Sequence, residues 1–355
     1  MLLQTGYACM LKALTSSWRA YFSGAPGTTD PLMPIGIATM HYGSAEGSPM
    51  NVAGSNWAHT ANFGVLPNPA LPATFLASNL DIGDPWDLPG CNNGQACCVP
   101  PWVPLGETCY GDYRGLWDDR TPGLMGGIHA RTKYEMGKRF AHAAFYGAGY
   151  EQQASPPHGP VISGCTLAAD SSSLTLVFNS SLLRGAPLIV RPNAARNAAD
   201  ANNSETSMTY VLAGADLPPE CDAGHAMSKD GYTAYEGGNE CFNAGSTGGK
   251  PGWVAVEIAA GAAPNTVEID LTKYPALSGA RITAVRHLWG YAMCCGSRQG
   301  IWPGWVSQPC PPYSCPLVVD VASGAGHEIL PAVGFIARVT AAGKCQCMLP
   351  QVCDE

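Results

Sequence analysis

Of the eight histidines, His129 has the setting best suited to chemistry. It follows Gly126-Gly127-Ile128 and precedes Ala130-Arg131-Thr132-Lys133, just ahead of a stretch with helical spacing. Glycines at such a place let the backbone turn tightly. A histidine there can face a cleft and act as a general base near neutral pH. The same position also suits a plain exposed loop histidine. His41, His59, His142, His158, His225 and His327 share no metal-ligand spacing, and no metal site is expected. His287 and Trp289 lie in a strand-like run and read as packing residues. The chain has no Gly-x-Ser-x-Gly elbow. Trp86, Trp102, Trp117, Trp302 and Trp305 sit in Pro/Gly loops, where indole rings either stack on sugars or plug small disulfide cores.

The 15 cysteines are the second chemical signal. Cys91, Cys97, Cys98 and Cys109 share one loop, Cys294, Cys295, Cys310 and Cys315 another, and Cys345, Cys347 and Cys353 crowd the tail. Structural zinc sites favour Cys-x2–4-Cys or Cys/His spacings. Vicinal pairs and Cys-x-Cys favour disulfides instead, and with them an oxidising compartment. Two glycosylation sequons, Asn179-Ser180-Ser181 and Asn202-Asn203-Ser204, agree with a secreted or lumenal protein, lysosomal or elsewhere in the endomembrane system. The first residues, Met1-Leu2-Leu3-Gln4-Thr5-Gly6, lack the basic start and apolar stretch of a signal peptide. The expectation is a longer parent protein.

Composition narrows the class. The net charge is −8, so a phosphate backbone is a poor partner and nucleic acid is not expected. No run of 18 apolar residues exists to span a membrane. Hydrophobic residues make up 46% of the 355, enough to bury a sizeable core.

The elements that must position these residues fall into two groups. Residues 7–22 read as a helix, with Tyr7, Met10, Leu11, Leu14, Trp18, Tyr21 and Phe22 on one face, ended by Gly24-Ala25-Pro26-Gly27. Residues 34–40 and 74–82 read as buried strands. A second helix starts near Arg131, with Met136, Phe140, Ala144 and Phe145 as its apolar face, and ends by Gly147 or Gly149. Alternation of this kind predicts an α/β layer over residues 1–150, interrupted by a Cys-rich insertion at 88–127. From 151 to 340 the pattern is all-β, with runs at 174–178, 188–191, 208–212, 253–258, 267–271, 282–288 and 333–339. A Cys-containing tail, 341–355, follows. The predicted fold class is α/β plus β.

Six blocks, in order, resemble the sialate O-acetylesterase family. They are Leu66-Pro67-Asn68-Pro69-Ala70-Leu71-Pro72-Ala73-Thr74-Phe75, Leu80-Asp81-Ile82-Gly83-Asp84, Gly127-Ile128-His129 with Arg131 and Lys133, Val285-Arg286-His287-Leu288-Trp289, Cys315-Pro316-Leu317, and Leu330-Pro331-Ala332-Val333-Gly334-Phe335-Ile336-Ala337. The collinearity runs from about Tyr7 to Val339. The resemblance implies the distal part of an SGNH-type three-layer α/β/α domain followed by a β-sandwich-like domain. It implies hydrolysis of acetyl esters on sialic acids or related sugars, without a cofactor. His129 takes the place of the family's catalytic histidine, although Ala130 and Thr132 depart from the family's Pro and Asp/Asn.

The family's Gly-Gln-Ser-Asn nucleophile block has no counterpart in the collinear order, so the serine is expected upstream of this chain. Ala53-Gly54-Ser55-Asn56 mimics that block but falls in the loop before the Pro-Asn-Pro motif. Asp84-Pro85-Trp86-Asp87 resembles the start of the Asp-Pro-Asn-Asp-Ile-His of bacterial relatives, which implies Asp87 as the acid that orients His129. Asp118 and Asp119 are its rivals. The alternative function is a non-catalytic carbohydrate-binding or scaffold protein derived from the same family.

Overall fold

The computed structural model describes residues 3–40, 56–82, 133–147, 158–191, 208–217, 252–289, 294, 315–323 and 326–347. Helix α1 spans Leu3–Phe22. Strands β1 (Ile35–Ala38) and β2 (Thr74–Ala77) pair in parallel, Ile37 opposite Leu76. Helix α2 spans Lys133–Gly147.

The two helices lie on opposite faces of the β1–β2 pair. Leu11 of α1 packs on the cluster of Ile37, Ala61, Leu66, Leu71 and Leu76. On the other face, Phe140 of α2 meets Phe75 edge to face at 6.3 Å. Gly36 makes that approach possible, because a Cβ there would lie 2.9 Å from the Phe140 ring and closer still to Phe75. Arg19, buried near the end of α1, donates to the carbonyls of Met33 and Ala73 at 3.0–3.2 Å. It thereby fixes the helix end against the starts of both strands, so α1 runs antiparallel to β1.

The Pro-Asn-Pro motif has a structural role. Leu66-Pro67 is cis. The Asn68 side chain donates to the carbonyls of Thr60 and Val65 and accepts from the amides of Ala70 and Leu71. A buried amide with its donors and acceptor all used holds a loop in one shape.

The remaining strands form three antiparallel sheets. Strands β3 (Ile162–Leu167), β4 (Ser173–Phe178), β8 (Ala259–Ala260) and β9 (Thr266–Asp270) make one, in the order β3-β4-β9-β8. A five-stranded sheet has the order β14-β13-β10-β6-β7, from β6 (Thr209–Ala213), β7 (Trp253–Val256), β10 (Ile282–His287), β13 (Phe335–Val339) and β14 (Cys345–Gln346). The third is β12-β11-β5, from β5 (Leu188–Val190), β11 (Leu317–Ser323) and β12 (Gly326–Pro331). All three feed one hydrophobic cluster, which also takes in Trp57 and Leu80 from the α/β layer. At its centre Phe178 and Phe335, from different sheets, stack edge to face at 6.1 Å. The chain is thus a mixed protein with few described helices and several antiparallel sheets, as the α/β-plus-β expectation requires.

All seven expected β runs contain a strand, with boundaries that differ by one or two residues. Strands β3, β8, β11, β12 and β14 lie outside the expected runs. Helix α1 forms as expected, but its buried residues are Ala8, Thr15 and Arg19, while Met10, Leu14, Trp18 and Tyr21 are exposed. Of the expected 34–40 strand, only Ile35–Ala38 forms, and Gly36 within it is exposed. Residues 80–82 form a buried turn rather than the end of a strand.

Candidate functional site

Open α/β sheets bind ligands outside the carboxyl ends of their strands. Here those ends are Thr39-Met40 after β1 and Ser78-Asn79 after β2. Thr39 Oγ1 accepts from the Asn79 amide at 2.6 Å. Asn56 copies a strand edge, its Oδ1 accepting from the Met40 amide and its Nδ2 donating to the Met40 carbonyl. Trp57 Nε1, His59 Nδ1, Ser78 Oγ and both side-chain polar atoms of Asn79 are buried at this end without a hydrogen-bond partner. Such a concentration is unusual, since buried polar atoms are nearly always paired. Burial pushes His59 down to about 4, so its ring is neutral at pH 7. The ring packs edge to face on Tyr7 of α1 at 5.1 Å.

One charged network fastens this end of the sheet. Arg139 of α2 forks onto Asp81, Nη1 to Oδ1 at 2.5 Å and Nη2 to Oδ2 at 3.1 Å. Its Nη1 also donates to the Ser78 carbonyl. Nη2 donates to the Ile329 carbonyl at 3.1 Å, and Nε lies 3.7 Å from Glu328. His142, one turn further along α2, donates from Nδ1 to Glu328 at 3.1 Å. Arg139 and Asp81 are almost wholly buried, as is Glu328. Strand β2, helix α2 and strand β12 therefore meet at one guanidinium.

His129, Asp87, Ser55, Asp118 and Asp119 lie outside the described residues, as does the 88–127 insertion. The structure does describe what adjoins them. Helix α2 begins four residues after His129, and the turn ending at Ile82 leads toward Asp87. Sequence reasoning missed Asp81, Arg139, Glu328 and Asn79. A carboxylate inside the apolar run Leu80-Asp81-Ile82, and an arginine beside Phe140 on the inner side of a helix, were the available signals.

Other singled-out residues are structural. Arg286 lies between the rings of Tyr210 and Trp253, at 4.6 and 4.4 Å from their centroids. His287 Nδ1 lies 2.7 Å from Thr209 Oγ1, and burial lowers its pKa to about 3. With Trp289 buried as well, the Arg-His-Leu-Trp run is a packing motif. Cys165 bonds Cys345, Cys294 bonds Cys315, and Cys9 is also in a disulfide. Among the described residues, no three His, Cys, Asp or Glu side chains gather as metal ligands, and no helix is long and apolar enough to cross a membrane.

Fold and site together define a mixed α/β-plus-β protein, cross-linked by disulfides, with a polar end on its parallel strands. No family model matches the chain. Over 80 residues it is 39% identical to the sialate O-acetylesterase of Rattus norvegicus, 36% to that of Mus musculus and 35% to that of Homo sapiens. The matched stretch is 22% of this chain and only 15% of each of these relatives. The chain is therefore related to the sialate O-acetylesterase family.

Proposed function

We propose that this chain is part of a carbohydrate esterase that removes acetyl groups from sialic acids or related sugars. Residues 1–150 contribute the distal part of an SGNH-type three-layer domain, 151–340 a β-rich domain packed on it, and 341–355 a tail. The observation that carries the reading is the 35–39% identity to sialate O-acetylesterases over 80 residues. The helix–sheet–helix layering of α1, β1–β2 and α2 supports it.

In this reading a serine from another segment of the domain attacks the acetyl carbonyl. His129 takes the serine proton, then returns it to the departing sugar oxygen, and Asp87 orients the imidazole. The ion pair of Arg139 with Asp81 supports the assignment, because it ties together the two stretches that lead to Asp87 and His129. The disulfides suit a secreted or lumenal compartment. No cofactor takes part.

The test joins this chain to a nucleophile-bearing segment and follows deacetylation of O-acetylated sialic acid. His129→Ala should lower kcat by about 10²–10⁴-fold without changing the melting profile. Asp87→Asn should cost less, and Asp118→Asn and Asp119→Asn little. The chain alone should hydrolyse an aryl acetate no faster than its Ser55→Ala variant. Near-normal turnover in His129→Ala would overturn the site. An assembled protein that binds the sugar but never cleaves it would mark a non-catalytic carbohydrate binder.

A further inference from the structure

Strand β4 ends on a motif that the ester chemistry leaves unused. Along the strand the side chains alternate: Leu174, Leu176 and Phe178 are buried, while Ser173, Thr175 and Val177 are partly exposed. Asn179 follows in the outward phase and is partly exposed too. Its backbone is still extended, at φ −65° and ψ 105°, before Ser180–Leu183 make a single 3-10 turn. Alternation therefore aims the Asn179 side chain away from the hydrophobic cluster.

The two polar atoms of that side chain have different surroundings. Oδ1 accepts from the Ser181 amide at 3.1 Å and from the Ser181 hydroxyl at 2.7 Å. Among the described residues no group accepts from Nδ2, and Nδ2 is not buried. Other asparagines use that nitrogen. Asn56 donates to the Met40 carbonyl, Asn68 to those of Thr60 and Val65, and Asn265 to that of Phe178. Ser180, Ser181, Arg184 and Gly185 around Asn179 are exposed. On the same face Val177 lies between Gly164 and Thr266, and an added Cβ at Gly164 would meet nothing within 4 Å. There is room here for a large substituent on Nδ2, and adding one leaves Oδ1 both of its bonds.

Asn179-Ser180-Ser181 is an Asn-x-Ser acceptor with no proline at its middle position, a pattern modified on the surface of secreted proteins. The Cys165–Cys345 and Cys294–Cys315 disulfides suit the same oxidising compartment. The structure assigns Asn179 as a site of N-linked glycosylation, its glycan standing on the outer face of the β3-β4-β9-β8 sheet. The sugar donor is a lipid-linked oligosaccharide diphosphate. Nδ2 attacks the anomeric carbon of the first sugar and forms the new C–N bond. The bond from that carbon to the diphosphate oxygen breaks, and its electron pair leaves with the diphosphate. Nδ2 gives up one of its two protons, and nothing is oxidised or reduced. The inference rests on the lumenal compartment of the proposed reading, not on its ester chemistry. Asn202, in the second sequon, lies outside the described residues.

The test makes the full chain behind a secretory leader in eukaryotic cells. Peptide N-glycosidase in heavy-oxygen water then leaves an isotopic label wherever a glycan was attached. Peptide mapping should find the label at position 179 in most of the protein. Asn179→Gln should remove the mass of one glycan. So should Ser181→Ala, which keeps Asn179 and its bond from the residue-181 amide, whereas Ser181→Thr should retain the glycan. An unlabelled Asn179 would overturn the site, and so would a glycan found at Asn202 alone. The Cys165–Cys345 bond, read in the same map, separates the causes. With that bond formed, an unlabelled Asn179 leaves the lumenal reading standing; with the cysteines reduced, both fall. A glycan at Asn179 on a protein that never cleaves an acetyl ester keeps the site and removes the esterase reading.

Discussion

Arg139 and Asp81 form a buried, two-point ion pair across 58 residues of sequence. The pair joins the chain entering the Cys-rich insertion to the helix leaving it. The same guanidinium reaches Ile329 and Glu328 on β12. A site built from His129 and Asp87 would inherit its rigidity from this junction, because a general base must be held within hydrogen-bond reach of its proton.

Removing one partner should be costly. Arg139→Met leaves the Asp81 carboxylate buried without its cation, and Asp81→Asn leaves the guanidinium overcharged. Each should lower stability by about 3–5 kcal/mol. The double variant, Arg139→Met with Asp81→Asn, should lose less than the sum of the two. Urea denaturation of the four proteins measures the coupling, and simple additivity would mean that the pair contributes nothing specific.

The chain should be sensitive to mild acid. Burial lowers the pKa of His59 to about 4 and of His287 to about 3. It also lowers His158, partly opposed by the bond from its Nδ1 to the Gly159 carbonyl. In the unfolded chain these histidines titrate near 6.5. The unfolded state therefore binds more protons between pH 6.5 and each folded value. This contribution is fully present above pH 6.5 and is lost as the pH falls through that window. The slope is about 1.4 kcal/mol per pH unit for each histidine. His287→Gln should flatten the dependence of the urea midpoint between pH 7 and pH 5, and an unchanged slope would show that His287 is protonated in the fold.

The disulfide between Cys165 and Cys345 spans 180 residues and ties β3 to β14. In the chain-entropy account, a closure of this length contributes about 5 kcal/mol. Cys165→Ala with Cys345→Ala should lower the denaturation midpoint far more than Cys347→Ala. Burial raises the Cys347 thiol to about 11, so in the native protein it should resist iodoacetamide at pH 8. Rapid alkylation of the native chain at Cys347 would contradict its partial burial.

Two glycines should respond in opposite directions. Gly137 lies on the exposed side of α2 with no atom within 4 Å of an added Cβ. Gly137→Ala should stabilise by about 0.5–1 kcal/mol. At Gly159, an added Cβ would run into the Pro331 backbone carbonyl. Gly159→Ala should destabilise by about 1–3 kcal/mol, because a backbone group gives way less readily than a side chain. Thermal melts of the two variants on either side of the parent settle both.

Local spacing along the chain set the individual elements. Helical spacing marked α1 and α2, and β-branched runs marked β4, β5, β6, β7, β9, β10 and β13, because periodicity is a property of neighbouring residues. The six collinear blocks marked the family, and several of them prove to be packing devices: Asn68 holding its loop, Arg286 between two rings. Clustered cysteines in Gly/Pro loops foretold disulfides but not that Cys165 would take Cys345. The packed layers fix which side of α1 faces the sheet. Its apolar stripe pointed to Met10, Leu14 and Trp18, yet Thr15 and Arg19 turn inward, because Arg19 finds the carbonyls of Met33 and Ala73 there. Burial of Arg139 was equally hidden, since a charge enters a core only where distant groups supply its partners. Asp81, Ile329 and Glu328 lie 58 to 190 residues away, beyond any local pattern. Pairing at such separations depends on how the layers stack, and stacking is not written in any single stretch of the chain.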